Sequence, residues 1–317
     1  MSESGHPDGN INPQFDVYAA SVTFFNEDAS LDLISTLAHV QRMAEAGIAG
    51  VVIQGSYGDA PHPSHSERMA LVRAARTHCK KIGHRDIQLI VGCAGPSVQS
   101  TLAHITEARD SGADFALVLP PTAWTAAMNV PLLQGFFCDI AAKSSLPLLI
   151  YNFPGVTSRI DVSCDAIIRI ARSVPSITGL KSPCTSGGRL PRLSATLWPL
   201  SSTALSAKCD FFADALLSDS RGVISMLANI APKIVVQLLS LYRAGDLERA
   251  QTLQAKIAHA NSALSKVGVV GVKAVIAHYF GYGSAPAQRP LGYTEMEGLG
   301  YGVLKLFEEV IKLERNI

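Results

Sequence analysis

The sequence has little that would place the protein in a membrane or in the secretory route. It contains no run of about 18 apolar residues, the length that a membrane-spanning helix needs. Residues 1–16 are polar and contain neither a basic stretch nor an apolar core, so they do not resemble a secretory signal. We therefore expect a cytoplasmic protein in which residues 1–16 form a disordered tail.

An excess of charge of one sign and paired cysteines are also missing. Lys and Arg total 27 and Asp and Glu total 26, so the net charge is +1 and gives no footprint for nucleic acid or an anionic membrane. The six cysteines are widely spread, without a CxxC pair or the spacing of a zinc site. These absences favour a small-molecule ligand and reduced cysteines.

Short apolar runs alternate with longer segments of helical periodicity, which is typical of parallel strands joined by helices. Eight such runs, nearly all apolar throughout, favour an α/β fold of the (β/α)8 TIM-barrel type over an open sheet. An open doubly wound sheet would want a GxGxxG turn after the first run, and residues 23–27 do not form one. The predicted strands are 17–24, 48–54, 87–92, 115–119, 147–152, 177–181, 210–213 and 222–225.

Helical periodicity is clearest in residues 31–46, 64–81, 98–111 and 130–144. Ser64 and Glu67 have the spacing of a capping box at the start of the second of these helices. After the eighth strand only helices are predicted, with breaks at Gly271, Gly281–Gly283 and residues 286–290. The predicted organisation is a tail (1–16), a barrel (17–231) and a C-terminal helical extension (232–317).

In a barrel of this type the ligand site lies at the carboxyl ends of the strands. Lys181 ends the sixth predicted strand, so its amine is expected in the barrel mouth, where desolvation lowers the pKa and favours attack on a carbonyl. Tyr151 ends the neighbouring strand and could relay protons. The structural alternatives are a lysine whose stem packs on the rim and a core tyrosine bonded to a backbone carbonyl.

The second strand leads into a turn, Gly55-Ser56-Tyr57-Gly58, whose glycines allow a ligand to approach the backbone closely. Its N–H groups and the Ser56 hydroxyl could bind a carboxylate, although an ordinary βα turn has the same pattern. His62 and His65 follow the turn without helical i, i+4 pairing or an obvious third ligand, so we predict no metal site there.

Four segments, in chain order, resemble landmarks of the dihydrodipicolinate synthase and N-acetylneuraminate lyase family of pyruvate-dependent aldolases. The resemblance runs from Val17 to about Pro232 and more loosely through the helical tail. The segments are Gly55-Ser56-Tyr57-Gly58-Asp59 with Ser66-Glu67-Arg68, Tyr151-Asn152-Phe153-Pro154, Gly179-Leu180-Lys181 and Gly222-Val223-Ile224-Ser225.

The resemblance implies a class I aldolase without a cofactor, in which Lys181 forms a Schiff base with pyruvate and Tyr151 transfers protons. Ser56, with the Tyr57 amide beside Gly55, would hold the pyruvate carboxylate. Ala213 and Ile224, at the ends of the last two predicted strands, would line the site through backbone carbonyls. The resemblance also implies a homo-oligomer, either a tetramer or a dimer.

The chain departs from the pattern of dihydrodipicolinate synthases at three places. Val156 stands where an arginine of those enzymes grips a second carboxylate, so the bidentate clamp is missing. Residues 120–124 replace a tyrosine pair of a proton relay, and Tyr57 stands where a threonine of that relay is expected. Thr122 or an ordered water would have to substitute.

We therefore predict a lyase that cleaves a 2-keto acid, either a 2-keto-3-deoxy sugar acid or 4-hydroxy-2-oxoglutarate, to pyruvate and an aldehyde. Val156, Thr122 and Trp124 would form a neutral pocket mouth. One alternative is dihydrodipicolinate synthase itself, with Arg159 as the nearest replacement cation. Another is a non-catalytic barrel that binds a keto acid or a protein partner, which an exposed Lys181 far from Tyr151 would favour.

Overall fold

Eight parallel strands close into a barrel in chain order, and β8 pairs with β1. The structure, a computed structural model, describes residues 12–183, 188–200, 202–283, 287–292 and 294–317. The predicted (β/α)8 barrel is therefore confirmed. The strands are β1 (Asp16–Ala20), β2 (Gly50–Ile53), β3 (Gln88–Gly92), β4 (Phe115–Val118), β5 (Leu148–Tyr151), β6 (Ile177–Ser182), β7 (Thr203–Ser206) and β8 (Gly222–Ser225).

Helices follow the strands and surround the barrel. The four helices predicted individually lie within about two residues of their predicted ends. Ser64 and Glu67 form the predicted capping box at the start of α2. The helices are α1 (Leu33–Glu45), α2 (His65–Lys81), α3 (Val98–Asp110), α4 (Val130–Lys143), α5 (Cys164–Ser173), α6 (Arg189–Leu197), α7 (Phe212–Leu217), α8 (Pro232–Arg243), α9 (Leu247–Phe280) and α10 (Tyr301–Arg315).

The apolar strands supply two cores because successive side chains point to opposite faces. One face packs against the helices in a large continuous cluster. The other face fills the barrel interior, and its members are buried side chains from nearly every strand. The interior set includes Tyr18, Val52, Ile90, Phe115, Leu117, Leu149, Tyr151, Leu205 and Ile224. The same alternation fixes which polar side chains reach the barrel mouth.

The prediction for the seventh strand is wrong. Residues 210–213 precede and begin α7, and β7 lies earlier in the chain, at Thr203–Ser206. Phe212, Ala215 and Leu216 are buried at helical spacing on α7. β7 has only four residues, rich in Ser, Thr and Ala, so its apolar signal is weak. Short apolar runs do not distinguish a strand from a buried helix.

Three helices follow the last strand. α8 follows β8 and contacts β1, so we assign it to the ring as the eighth barrel helix, one helix beyond the predicted boundary at residue 232. The predicted break at Gly271 is wrong, because Gly271 is buried inside α9 and the kink lies at Gly268, with φ of 61°. Gly281 ends α9 as predicted, with φ of 75°. Residues 1–11 of the predicted tail and residue 286 of the last predicted break lie outside the described residues.

Within the described residues, α9 has the length and apolar composition that crossing a membrane would require. The packing gives these apolar residues a different role, since α9 lies against α8 and α10. Its Lys273 also forms a buried ion pair with Asp59, next to the β2 turn. We therefore describe α9 as a helix that packs on the barrel.

Candidate functional site

Lys181 lies in the barrel mouth beside Tyr151. The two residues are register partners on β5 and β6, so their side chains share a level of the barrel. Lys181 is 3% exposed, and its Nζ lies 4.1 Å from the centre of the Tyr151 ring. This arrangement differs from both structural alternatives, in which the lysine head reaches water or the tyrosine hydroxyl bonds to a backbone carbonyl.

Burial lowers the pKa of Lys181 to about 7. Among the described residues no carboxylate forms an ion pair with Lys181 that would offset the cost of burying the ammonium. A substantial fraction of the amine is therefore neutral near pH 7. A neutral, buried amine is the form that attacks a carbonyl carbon.

Tyr151 and Ser56 bring two hydroxyl groups together next to Lys181. The Tyr151 hydroxyl lies 3.2 Å from Ser56 Oγ, and the Tyr151 ring stacks on Phe153 with centres 5.5 Å apart. Burial raises the pKa of Tyr151, while the hydrogen bond to Ser56 opposes that shift. A tyrosine of this kind keeps its proton at neutral pH and can exchange it through the neighbouring hydroxyl.

The Ser56 contact corrects the prediction that the first turn has lost its relay hydroxyl because Tyr57 replaces a threonine. Ser56, and not Tyr57, lies against the Tyr151 hydroxyl. The side chain of Tyr57 packs partly against the main core instead. The hydroxyl that was predicted to be lost from this turn is therefore present, on Ser56.

An unusual backbone conformation aims the turn. Gln54 is buried and has φ of 56°, a left-handed conformation that is uncommon for a residue with a side chain. Its carbonyl lies so close to β3 that a Cβ on Gly92 would be 1.9 Å from the Gln54 oxygen. The Gln54 amide group donates to the Arg68 carbonyl on α2 at 3.0 Å, which fixes its side chain.

Backbone N–H groups of the turn are available to a ligand. Gly58 donates to the Gly55 carbonyl at 2.9 Å, while Ser56 and Tyr57 donate no backbone hydrogen bond within the described part of the chain. Gly55 is buried at the start of the turn, beside Val52. Two unused N–H groups next to a hydroxyl can bind a carboxylate.

Asn152 organises the loop after β5, a role that the sequence did not reveal. Its amide group donates to Asp161 Oδ1 at 2.7 Å and to the Val162 carbonyl at 3.1 Å. Its Oδ1 accepts from the Val162 N–H at 3.1 Å. These bonds close the loop that carries Val156, which is 40% exposed in a short 3-10 helix. The one sequence feature that could have indicated this role is the position of Asn152, directly after Tyr151 in the Tyr-Asn-x-Pro segment.

The correction to β7 changes what lines the site. Ala213 lies in α7, and its N–H donates to Gln254 Oε1 at 2.7 Å, so it does not end a strand as predicted. Ser206 ends β7, and the next N–H, that of Ala207, donates to the Ser182 carbonyl at 2.9 Å. Ile224 is fully buried on β8 and faces the barrel interior as expected from its strand.

The predicted pocket-mouth residues lie on the surface, Thr122 and Trp124 after β4 and Val156 after β5. Thr122 is exposed and Trp124 is 73% exposed, with φ of 53°. Within the described residues, the Tyr151 hydroxyl bonds to Ser56 and Thr122 forms no hydrogen bond with it. Arg159 is also exposed, in the loop closed by Asn152. The structure thus brings Lys181, Tyr151 and Ser56 together and leaves the mouth residues at the rim.

An ion pair anchors the turn from the other side. Asp59 and Lys273 are paired, and their side chains are only 1% and 5% exposed. Burial lowers the pKa of Lys273, and the Asp59 charge opposes the shift. The pair connects the turn that carries Ser56 to α9, so the extension supports the site.

Residues 14–299 match the Dihydrodipicolinate synthetase family. The chain is 36% identical over 301 residues to a probable mitochondrial 4-hydroxy-2-oxoglutarate aldolase of Emericella nidulans, covering 95% of this chain and 96% of that protein. It is 32% identical over 309 residues to the L-threo-3-deoxy-hexylosonate aldolase of Hypocrea jecorina, covering 95% and 97%.

Solved structures agree with these similarities. A dihydrodipicolinate synthase family protein of Coccidioides immitis superposes with a TM-score of 0.86 at 33% identity, covering 96% of this chain and 98% of that one. A prophage protein of the same family from E. coli K12, solved in complex with pyruvate, has a TM-score of 0.84 at 25% identity, covering 93% and 97%.

Proposed function

Because the chain belongs to the dihydrodipicolinate synthetase family, we propose that it is a class I aldolase that cleaves a 2-keto acid to pyruvate and an aldehyde. The observation that carries the proposal is the buried Lys181, with a pKa near neutrality, beside the Tyr151–Ser56 hydroxyl pair. The substrate is a 2-keto-3-deoxy sugar acid or 4-hydroxy-2-oxoglutarate. The names of the two aldolase relatives support this choice.

In the proposed reaction the neutral Lys181 amine attacks the keto carbon, and loss of water gives a Schiff base. In that step Tyr151 gives its proton to the departing hydroxyl, which leaves as water. The resulting phenolate then accepts the proton of the C4 hydroxyl while the C3–C4 bond breaks, which releases the aldehyde. The bonding electrons pass into the Schiff base and form an enamine. Protonation of that enamine at C3 and hydrolysis return pyruvate and the free amine. Ser56 shares the Tyr151 proton throughout.

The Ser56 and Tyr57 N–H groups bind the carboxylate next to the keto carbon in this proposal. Val156, at the rim, offers no charge to a second carboxylate, so the hydroxylated end of a 2-keto-3-deoxy sugar acid fits this rim better than the carboxylate end of 4-hydroxy-2-oxoglutarate or of aspartate semialdehyde. Arg189, the cation placed against the same loop, pairs with Asp161 and bonds the Val162 carbonyl. Arg159 is exposed, so dihydrodipicolinate synthase activity is the weaker candidate.

Trapping of the Schiff base tests the proposal. Incubation with pyruvate, reduction with borohydride and peptide mass spectrometry should place the reduced adduct on Lys181, and the Lys181→Arg variant should give none. The unchanged enzyme should then cleave 4-hydroxy-2-oxoglutarate or 2-keto-3-deoxy sugar acids faster than it condenses pyruvate with aspartate semialdehyde. Folded protein without an adduct would contradict the aldolase assignment and favour a binding barrel.

The proposal includes a homo-oligomer, a dimer or tetramer. Large apolar side chains are exposed within a short stretch after β4, namely Trp124, Val130 and Leu132. A patch of exposed apolar side chains is a feature of subunit interfaces, and this stretch is where we place the contact. Light scattering coupled to size-exclusion chromatography measures the mass of the assembly in solution. The Trp124→Ser variant should form a smaller assembly than the unchanged protein.

The cytoplasmic location is also a proposal. The mitochondrial location in the name of the Emericella nidulans relative is the competing prediction. Imaging of the chain with a fluorescent protein fused to its carboxyl terminus would distinguish the two.

A further inference from the structure

A second group of chemically active side chains lies outside the barrel mouth, between α2 and α3. His65 is the first residue of α2, while His104 and Glu107 are three residues apart on α3 and so lie on one face. Each of the three side chains offers one ligand atom, and these atoms all lie within 4.8 Å of one another. We propose that His65, His104 and Glu107 bind a divalent transition-metal ion of the zinc type.

The ring of His104 is oriented for this role. Its Nδ1 lies 3.2 Å from the carbonyl oxygen of Ala94. A carbonyl only accepts hydrogen bonds, so Nδ1 carries the proton and Nε2 of the neutral ring keeps its lone pair. A metal-bound histidine usually donates its other N–H to a carbonyl or carboxylate, which fixes the tautomer in the same way.

Glu107 has one oxygen engaged and one unused. Its Oε1 lies 2.6 Å from Nδ1 of His65, while its Oε2 is buried without a hydrogen-bond partner in the described residues. A buried carboxylate oxygen that lacks a partner is costly. An ion placed between the rings would supply a charge partner for this carboxylate and would replace the proton that His65 now shares with it.

The chemistry of the donors selects the kind of ion. Two imidazole nitrogens and one carboxylate are the ligand set of several zinc sites, with water in the fourth position, whereas Mg²⁺ and Ca²⁺ prefer oxygen ligands throughout. The side chain of His65 is 66% exposed and that of Glu107 is 20% exposed. The cluster is thus open to solvent on one side, which provides both an entry path and room for the water.

One positive charge opposes the ion. Arg68 lies on α2 and borders the same small interior gap as His104 and Glu107. Its guanidinium donates to the Ala60 carbonyl at 3.2 Å and to the Gly92 carbonyl at 2.6 Å, so it is held by other partners. The nearby charge reduces affinity for a cation, and this is why imidazole ligation, which is less dependent on charge, matters here.

The ion would join α2 to α3 at the start of α2. His65 follows the turn that carries Ser56, after only a short segment, so the bond would tether that segment to α3. The prediction that His62 and His65 lack a third ligand was drawn from neighbours in sequence. The structure supplies the remaining ligands from α3, about 40 residues later, where the sequence offers no fixed spacing to detect them.

Zinc titration of tag-free protein tests the proposal. Competition against a chromophoric chelator should give one tight equivalent of Zn²⁺ per chain, and zinc should raise the melting temperature above that measured in EDTA. His65→Ala and His104→Ala should each lose about tenfold or more in zinc affinity and lose the rise in melting temperature.

His62→Ala is the matched control. His62 lies in the same segment, but its ring faces Phe25 at 6.4 Å and not the cluster, so this variant should bind zinc like the unchanged protein. If an alanine variant does not fold, Glu107→Gln keeps the shape of the side chain and should show the same loss. Absence of saturable zinc binding, or unchanged affinity in His104→Ala or Glu107→Gln, would overturn the proposal.

Discussion

At Lys181, burial connects reactivity to pH. Its pKa, near 7, lies far below that of a lysine in water because the ammonium is desolvated. We predict that the rate of Schiff-base formation with pyruvate rises with pH through a midpoint near 7 and levels off above about pH 8, since the neutral amine then predominates. Rapid quenching with borohydride at each pH measures the rate. A rise that continues towards pH 10 would show an ordinary, exposed lysine.

Ser56 gives a second prediction for a single residue. The Ser56→Ala variant removes the hydroxyl that contacts Tyr151, so turnover in 2-keto acid cleavage should fall by about 100-fold. The pyruvate adduct on Lys181 should still form. Ser66→Ala removes an exposed hydroxyl on α2 and serves as the control. Loss of adduct and turnover together would instead show that Ser56 acts in binding.

The residue pattern could predict Lys181 and Tyr151 because each lies at the carboxyl end of a strand whose buried neighbours fix its direction. It could not predict that Ser56, and not Tyr57, contacts Tyr151. That choice depends on the left-handed backbone at Gln54, whose conformation a sequence of ordinary side chains does not reveal.

Between elements, the Asp59–Lys273 pair attaches α9 to the turn after β2. Removing either partner leaves a buried, unpaired charge, and we expect Lys273→Met or Asp59→Asn to lower the free energy of unfolding by about 3–5 kcal/mol. The double variant should lose clearly less than the sum of the two single losses, because it buries no lone charge. Urea unfolding measures the free energy of unfolding of the unchanged protein, the two single variants and the double variant. Strict additivity would mean that the two side chains do not interact.

At the same scale, the barrel could be predicted because seven strands are long or apolar enough to stand out. The seventh predicted strand failed because β7 is a short Ser-, Thr- and Ala-containing run, while the richer apolar signal nearby belongs to α7. Asp59 and Lys273 are more than 200 residues apart in the sequence, so only the folded structure reveals that they pair.

Across the whole molecule, His39 joins distant parts of the chain. Its Nδ1 lies 2.9 Å from the Tyr282 hydroxyl and its Nε2 2.9 Å from Asn229 Oδ1, so α1, the segment after β8 and the segment after α9 meet at one ring. Burial, together with the charge of Arg42, lowers the pKa of His39 to about 3. The folded protein therefore keeps this ring neutral under mildly acidic conditions.

This network predicts how stability depends on pH. Below about pH 6.5 the unfolded chain protonates His39 while the folded chain does not, so His39 should make the folded state less stable by about 2 kcal/mol between pH 6.5 and 5. Urea unfolding at several pH values measures the free energy of unfolding of the unchanged protein and of the His39→Gln variant. The His39→Gln variant should be less stable than the unchanged protein at pH 7.5. The difference between their free energies of unfolding should be about 2 kcal/mol smaller at pH 5. A difference in the free energy of unfolding that does not change with pH would contradict a buried, neutral His39.

In the proposed aldolase, the loop that Asn152 closes keeps the residues that contact the aldehyde apart from the catalytic groups. Asn152 holds the two ends of the loop by bonds to Asp161 and Val162, while Val156 lies between them at the rim. We expect mutations at the exposed positions 155, 156, 158 and 159 to leave Tyr151 and Lys181 in place, whereas Thr157 is buried. Under the proposed function, such a loop would let a lineage exchange one aldehyde for another over evolutionary time while its reaction stays the same.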